Sequence, residues 1–240
     1  SGATEAAQVL AGRDAEIAPT SHDALWAHAS TAATGAVYAM GLANSETGVV
    51  TAPTGAHDGL FLLDVTQAVG RIAWSFHWSG ADLAILSAHK LGGPKGGGAL
   101  IVRDGVDIGA LQSGGGQELG RRAGTENVAG IAGFGAACSV ALDELNRGVW
   151  GHVEELRKIL ENALASAEKE TIFVGSDRPR LPNTSCFATP GWKGETQVMQ
   201  MDLAGFAVSS GAACSSGKVK TPRVLRAMGL SDEEAEGALR

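Results

Sequence analysis

An α/β fold followed by a smaller α+β domain is what this sequence predicts, and three observations carry the prediction. Apolar runs of strand length, "GAVYAMGLA", "LFLLDV", "DLAILSA" and "GALIV", alternate with helical patterns, each bounded by Gly, Asp or Asn. Several of those runs stop at a polar side chain, and ligands of open α/β sheets sit beyond the carboxyl ends of strands. From Asn146 the texture changes to a long amphipathic helix and then to short, loop-rich pieces, which places a domain boundary between residues 1–147 and 148–240.

Taken in order, "SGATEA" at the start combines small residues with Thr4, a composition suited either to an anion at a helix N-terminus or to an ordinary helix cap. The four strand candidates follow. The glycine cluster "GGPKGGG" after Lys90 lacks the Gly-Lys-Ser/Thr ending of a P-loop, so it reads as a turn that lets backbones approach closely. Val128 to Leu142, rich in Gly and Ala, reads as a packed helix. "VEELRKILENALASAEKE" places Val153, Leu156, Leu160 and Leu164 at helical spacing, with Glu154 four residues before Lys158, and reads as an amphipathic surface helix. A Pro-containing loop "DRPRLPN", a strand-like "TSCFAT", the small-residue loop "SSGAACSSGK" and a last helix complete the expectation.

Composition excludes several function classes. With 240 residues, 44% of them hydrophobic, the chain can bury one large core and a smaller second one. The formal charge of −7 and the scattered Lys and Arg residues offer no basic field for nucleic acid or anionic lipid. The Val128–Leu142 run is shorter than the roughly 20 residues of a membrane span. Three cysteines without a CxxC pair or a Cys/His cluster suit neither a disulfide framework nor a metal site, and a reducing cytoplasm is the expected compartment. No targeting segment is visible, and an N-terminal segment is expected to be missing.

The chemistry gathers at the strand ends. Asp64 closes "LFLLD", Lys90 follows "AILSAH" and Asn44 follows "YAMGLA", so one mouth could hold all three. A buried lysine is driven toward its neutral form, the form that attacks an aldehyde. Such a lysine beside a carboxylate, hydroxyls, an imidazole and backbone NH groups is the inventory that pyridoxal phosphate needs. Solvated strand ends are the plain alternative for Asp64 and Lys90 taken singly.

The combined stretches "SGATEA", "NSETG", "DVTQAVGR", "DLAILSAHKLGGPKGGGALIV", "GGGQELGRRAGTENVAG" and "AVSSGAACSSGK" resemble the cysteine desulfurases of the class V aminotransferase family, which have fold type I. The resemblance spans nearly the whole chain. It implies a large domain with a mostly parallel sheet and a pyridoxal phosphate cofactor held covalently by Lys90. By the same resemblance Asp64 pairs with the pyridinium nitrogen and Gln67 with the ring oxygen. Ala3, Thr4, Ser87 and His89 hold the phosphate, joined by Thr125 across a homodimer interface. His22 stacks on the ring and assists proton transfer, Asn44 and Arg240 bind substrate, and Cys214 is the nucleophile that carries the persulfide.

The family's Asn-Asn-Glu stands here as Asn44-Ser45-Glu46, and the intervals between "SGATEA", "SHDAL" and "NSETG" are shorter than the family's, which shortens the large domain. The implied reaction converts L-cysteine to L-alanine and passes sulfur to an acceptor such as an iron-sulfur scaffold. A selenocysteine lyase, an aminotransferase or an inactive remnant of the fold are the alternatives. Cys138 and Cys186 read as small buried hydrophobes.

Overall fold

The computed structural model describes residues 36–51, 59–110, 112–167, 170–210 and 223–240. They fall into two compact units, one holding residues 36–41 and 59–147, the other 42–51 and 148–240. Ala3, Thr4, His22 and Cys214 lie outside the described residues.

The first unit is built on a four-stranded sheet in the order β1-β2-β3-β4: β1 Ala36–Gly41, β2 Gly59–Asp64, β3 Leu83–Ser87 and β4 Gly98–Val102. β1, β2 and β3 run parallel, and β4 returns antiparallel to β3. Phe61, Leu62 and Leu63 are all buried, as expected of a strand covered on both faces, and this is why "LFLL" is a continuous apolar run rather than an alternating one. The glycines after Lys90 admit the returning strand: a Cβ at Gly98 would stand 2.8 Å from the Leu86 carbonyl oxygen, and one at Gly93 would stand 3.0 Å from that of Ala88.

Helix α1, Val128–Asn146, is longer than the apolar run that announces it, and by length and composition alone it would be able to cross a membrane. Its small residues lie against the sheet's own connections. A Cβ at Gly133 would meet Pro94, one at Gly93 would meet Ala137, and one at Gly70 would meet Ala141. The expectation of a packed helix is corrected over the rest of its surface, where Val128, Ile131, Val140 and Leu142 are all more than half exposed.

In the second unit a short antiparallel sheet, β5 Ile172–Phe173, β6 Phe187–Ala188 and β7 Ala238–Leu239, carries a core of Val174, Cys186, Ala188, Leu225, Ala235 and Ala238. Helices α2 Val149–Ala165, α3 Gly194–Leu203, α4 Arg223–Ala227 and α5 Asp232–Glu236 complete it. The single last helix expected from the sequence is therefore two short ones, α5 being closed by a capping box between Ser231 and Glu234.

Helix α2 also departs from its periodicity. Leu156 and Leu160 are about half exposed, while Arg157 and Glu161 face inward. Charge turns the helix: Glu161 accepts from Arg180 Nη1 at 2.8 Å, Arg180 Nη2 at 2.9 Å and Ser185 Oγ at 2.8 Å, and Arg157 Nη1 stands 3.5 Å away. The Glu154–Lys158 pair forms on the surface at 3.0 Å.

Residues 42–51 belong with the second unit, although they precede residue 147. The Val50 NH donates to the Pro179 carbonyl at 2.8 Å and the Leu181 NH to the Gly48 carbonyl at 2.7 Å, which stitches this segment to the loop after β5.

Candidate active site

In the first unit the site begins where β2 ends. Asp64 Oδ1 accepts from the Thr66 NH at 3.0 Å, a local turn that fixes the carboxylate at the mouth of the strand. The Val65 NH donates to the Ile85 carbonyl at 3.0 Å and ties the same point to β3. The register pairs Asp64 with Ile85, two residues before the end of β3, so the carboxylate and the start of the lysine turn issue from the carboxyl ends of adjacent parallel strands. Gln67 follows in the turn and is half-buried.

Lys90 is not on a strand. β3 ends at Ser87 and a 3₁₀ turn, Ala88–Leu91, carries His89 and Lys90, with Gly92 left-handed at φ 87° as its stop. Ala88 anchors the turn: its NH donates to the Gly97 carbonyl at 3.0 Å, and its carbonyl accepts from the Gly93 NH at 2.9 Å. Ser87 Oγ and His89 Nδ1 share a hydrogen bond of 2.7 Å, which brings a hydroxyl and an imidazole to one point. Thr125 is exposed in the loop before α1. Arg122 steadies that loop through the carbonyls of Ala123 and Gly124, at 3.1 and 2.7 Å, and the Asn127 side chain caps α1 by accepting from the Gly130 NH at 3.1 Å.

The described donors suit pyridoxal phosphate. A fixed carboxylate can meet a pyridinium, an amine an aldehyde, an amide a phenolic oxygen, and a hydroxyl–imidazole pair a phosphate.

The second unit assembles the other group. Asn44 lies beyond β1 rather than at its end, in a turn that it builds itself: its Oδ1 accepts from the Glu46 NH at 2.8 Å and the Thr47 NH at 3.0 Å. Ser45 is exposed at the corner, and its carbonyl accepts from Arg240 Nη1 at 2.6 Å. Arg240 is held in turn by reciprocal backbone bonds with Ser209, at 2.8 and 2.9 Å. Asn44 and Arg240, assigned separately to substrate, thus meet through one turn.

Glu46 was missed by the sequence reading. Burial raises its pKa against the opposing charge of Arg240, and it lines a small hollow with Cys186, Leu225 and Arg240. Its only signal was its place in "NSETG". Burial pushes the Cys186 thiol up to about 11, with Glu46 adding to the effect, and also raises Cys138, so both are poor thiolates. Among the described residues no cluster of metal ligands occurs.

Comparison with known proteins agrees with this arrangement. The family model for aminotransferase class-V matches residues 27–231. A cysteine desulfurase of Enterobacter agglomerans is 41% identical over 85% of this chain and 52% of its own length, and one of Cereibacter sphaeroides is 44% identical over 82% and 52%. The chain therefore spans about half the length of these curated relatives.

Among solved structures, a NifS-like protein from Rickettsia africae superposes with a TM-score of 0.81 at 27% identity, covering 97% of this chain and 65% of that one. SspA in complex with cysteine superposes with a TM-score of 0.69 at 25% identity, covering 94% and 65%. The fold is that of the NifS-like, fold type I enzymes. By sequence match and fold together, the chain belongs to the aminotransferase class-V family.

Proposed function

We propose that this chain carries the chemistry of a pyridoxal-phosphate-dependent cysteine desulfurase, turning L-cysteine into L-alanine and passing the sulfur on as a persulfide. The observation that carries the proposal is the placement of Asp64 and the Lys90 turn at the carboxyl ends of adjacent parallel strands, in a chain whose relatives include cysteine desulfurases at above 40% identity.

Pyridoxal phosphate, when bound, supplies the electron sink for the chemistry at the substrate's carbons. Lys90 holds it covalently. The Asp64 carboxylate keeps a proton on the pyridine nitrogen through a charge-assisted hydrogen bond, and Gln67 donates to the ring oxygen. Ser87 and His89 take the phosphate together with Ala3 and Thr4, and Thr125 reaches the phosphate of a second copy, which makes the working unit a homodimer. His22 would face the ring and assist proton transfer. Arg240 and Asn44 receive the substrate carboxylate, and the Ser45 carbonyl orients the guanidinium.

Cys214 as thiolate attacks the sulfur of the substrate cysteine. The new S–S bond forms as the C–S bond breaks; the electron pair passes to carbon, which takes a proton to give alanine. The terminal sulfur then moves to an acceptor protein such as an iron-sulfur scaffold, in a reducing cytoplasm.

The test is a coupled assay of alanine formation and sulfur transfer from L-cysteine, with and without added cofactor. Lys90→Ala abolishes both. Cys214→Ala keeps the cofactor on Lys90 but loses sulfur transfer. Sulfur transfer undiminished in Cys214→Ala, or no alanine from the parent chain with cofactor, overturns the proposal.

A further inference from the structure

Two segments of the first unit that carry site residues are tied together by a side chain to which no role was given. Arg71 Nη1 donates to the main-chain carbonyl of Gln67 at 2.9 Å, and its Nη2 donates to the main-chain carbonyl of Lys90 at 2.6 Å. From these two bonds we infer that Arg71 is a positioning residue for the site, one guanidinium setting the distance between the turn that presents Gln67 and the turn that presents Lys90. The inference rests on the proposed role of Lys90 as the lysine that holds the cofactor.

The sequence builds this bridge in few residues. After Asp64 the chain makes a helical turn, with the NH groups of Ala68 and Val69 both donating to the Val65 carbonyl at 3.0 Å. Gly70 then reverses it at φ 80°, where its Cα lies under α1: a Cβ there would meet Ala141 at 3.0 Å and Leu91 at 3.8 Å. Arg71 is thereby returned beneath the Lys90 turn.

That turn has a need for a donor. The last carbonyls of any short helix lack partners within it, and Lys90 is the penultimate residue of a four-residue 3₁₀ turn. The Arg71 fork meets that carbonyl, and its second arm meets the carbonyl of Gln67, so the two side chains assigned to one ring are mounted on backbones bridged by a single rigid, planar group. A lysine at this position has one nitrogen and a flexible stem, so it can reach either carbonyl but not hold both in a fixed fork.

The bridge affects the geometry of the amine more than the survival of the fold. Arg71 is half-buried, and the first unit's core of Phe61, Leu62, Leu63, Leu83 and Ala84 is formed without it. A lysine displaced by as little as about 1 Å from the aldehyde it must attack loses roughly 10- to 100-fold in rate.

The experiment follows attachment of pyridoxal phosphate to Lys90 in the parent chain, Arg71→Met and Arg71→Lys. Borohydride trapping and peptide mass fix the site, and the rate at saturating cofactor is measured separately from cofactor affinity and from the thermal midpoint of the cofactor-free chain. Arg71→Met is expected to slow attachment at saturation by roughly 10- to 100-fold, to leave the thermal midpoint within a few degrees, and to be partly rescued in Arg71→Lys. Attachment at the parent rate in Arg71→Met, or a loss that follows the fall in thermal midpoint equally in both variants, overturns the positioning role alone. No pyridoxyl group on Lys90 of the parent chain overturns the cofactor reading, and the positioning role with it.

Discussion

Removing the charge at Glu161 tests whether the second unit is held by a buried ionic cluster. The side chains of Glu161 and Arg180 are only 13% and 7% exposed, and Glu161 takes both nitrogens of one guanidinium, a serine hydroxyl and the approach of a second guanidinium from Arg157. Glu161→Gln keeps the shape, but it puts an amide donor against the donating Arg180 guanidinium and leaves Arg157 and Arg180 without a common anion. Breaking a buried pair on one side costs about 3–5 kcal/mol. The expected loss lies at the lower end, about 3 kcal/mol, because the remaining amide oxygen still accepts one bond.

The pH dependence has a definite sign. Burial pushes the Glu161 carboxyl up, but the hydrogen bonds from Arg180 and Ser185 and the charges of Arg180 and Arg157 outweigh it and hold the folded value below the ordinary one. The stabilisation is therefore complete above about pH 4.3, the unfolded glutamate value, and is lost as pH falls through the lower folded value. Urea unfolding at pH 7 and at descending pH, read as a midpoint at constant slope, measures it. A loss under about 1 kcal/mol at pH 7, or a gap between parent and variant that stays constant through the acid limb, refutes the argument.

The three cysteines should separate by reactivity. Cys186, buried with a thiol near 11, and Cys138, raised by burial, should resist alkylation at pH 8, while Cys214 labels first; peptide mapping after limited iodoacetamide treatment reads the order, and early labelling of Cys186 contradicts it. Gln197, 1% exposed, donates its amide to the carbonyls of Trp192 at 2.6 Å and Gly237 at 2.9 Å. Gln197→Met should cost about 1–3 kcal/mol by orphaning both carbonyls, measured by thermal or urea unfolding, and a neutral substitution would show that water replaces the amide.

The parts of the fold legible in the sequence are those whose cause is local. β2 and β3 announce themselves because strands buried within a sheet must be continuously apolar, β4 by its short apolar run although it is a partly exposed edge strand, and "GGPKGGG" announces the close return of β4 because only glycine fits beside Leu86 and Ala88. Asp64 at a strand end followed for the same reason. What escaped was set by distant residues. The inward face of α2 is decided by Arg180, a cation from a far loop that outweighs an apolar periodicity. The attachment of residues 42–51 to the second unit depends on backbone bonds to Pro179 and Leu181, which leave no local pattern. The grasp of Arg71 on Lys90 is made to a carbonyl, and side-chain type says nothing about that. The roles of Ala3 and His22 came only through the resemblance, those of Thr4 and Cys214 also from the small residues around them, and all four positions lie outside the described residues.

The passage of residues 42–51 into the second unit bears on how this protein can be dissected. A chain whose two units were successive beads could be cut between Arg147 and Gly148, and each half would keep its own hydrogen bonds. Here such a cut would leave the segment carrying Asn44 and Ser45 on one fragment and its partners Pro179, Leu181 and Arg240 on the other, with the Val50 NH and the Gly48 and Ser45 carbonyls stripped of the groups that satisfy them. Neither unit is a transplantable cassette. Recombination, fragment expression and domain exchange at that junction would each separate Arg240 from the turn whose Ser45 carbonyl it holds.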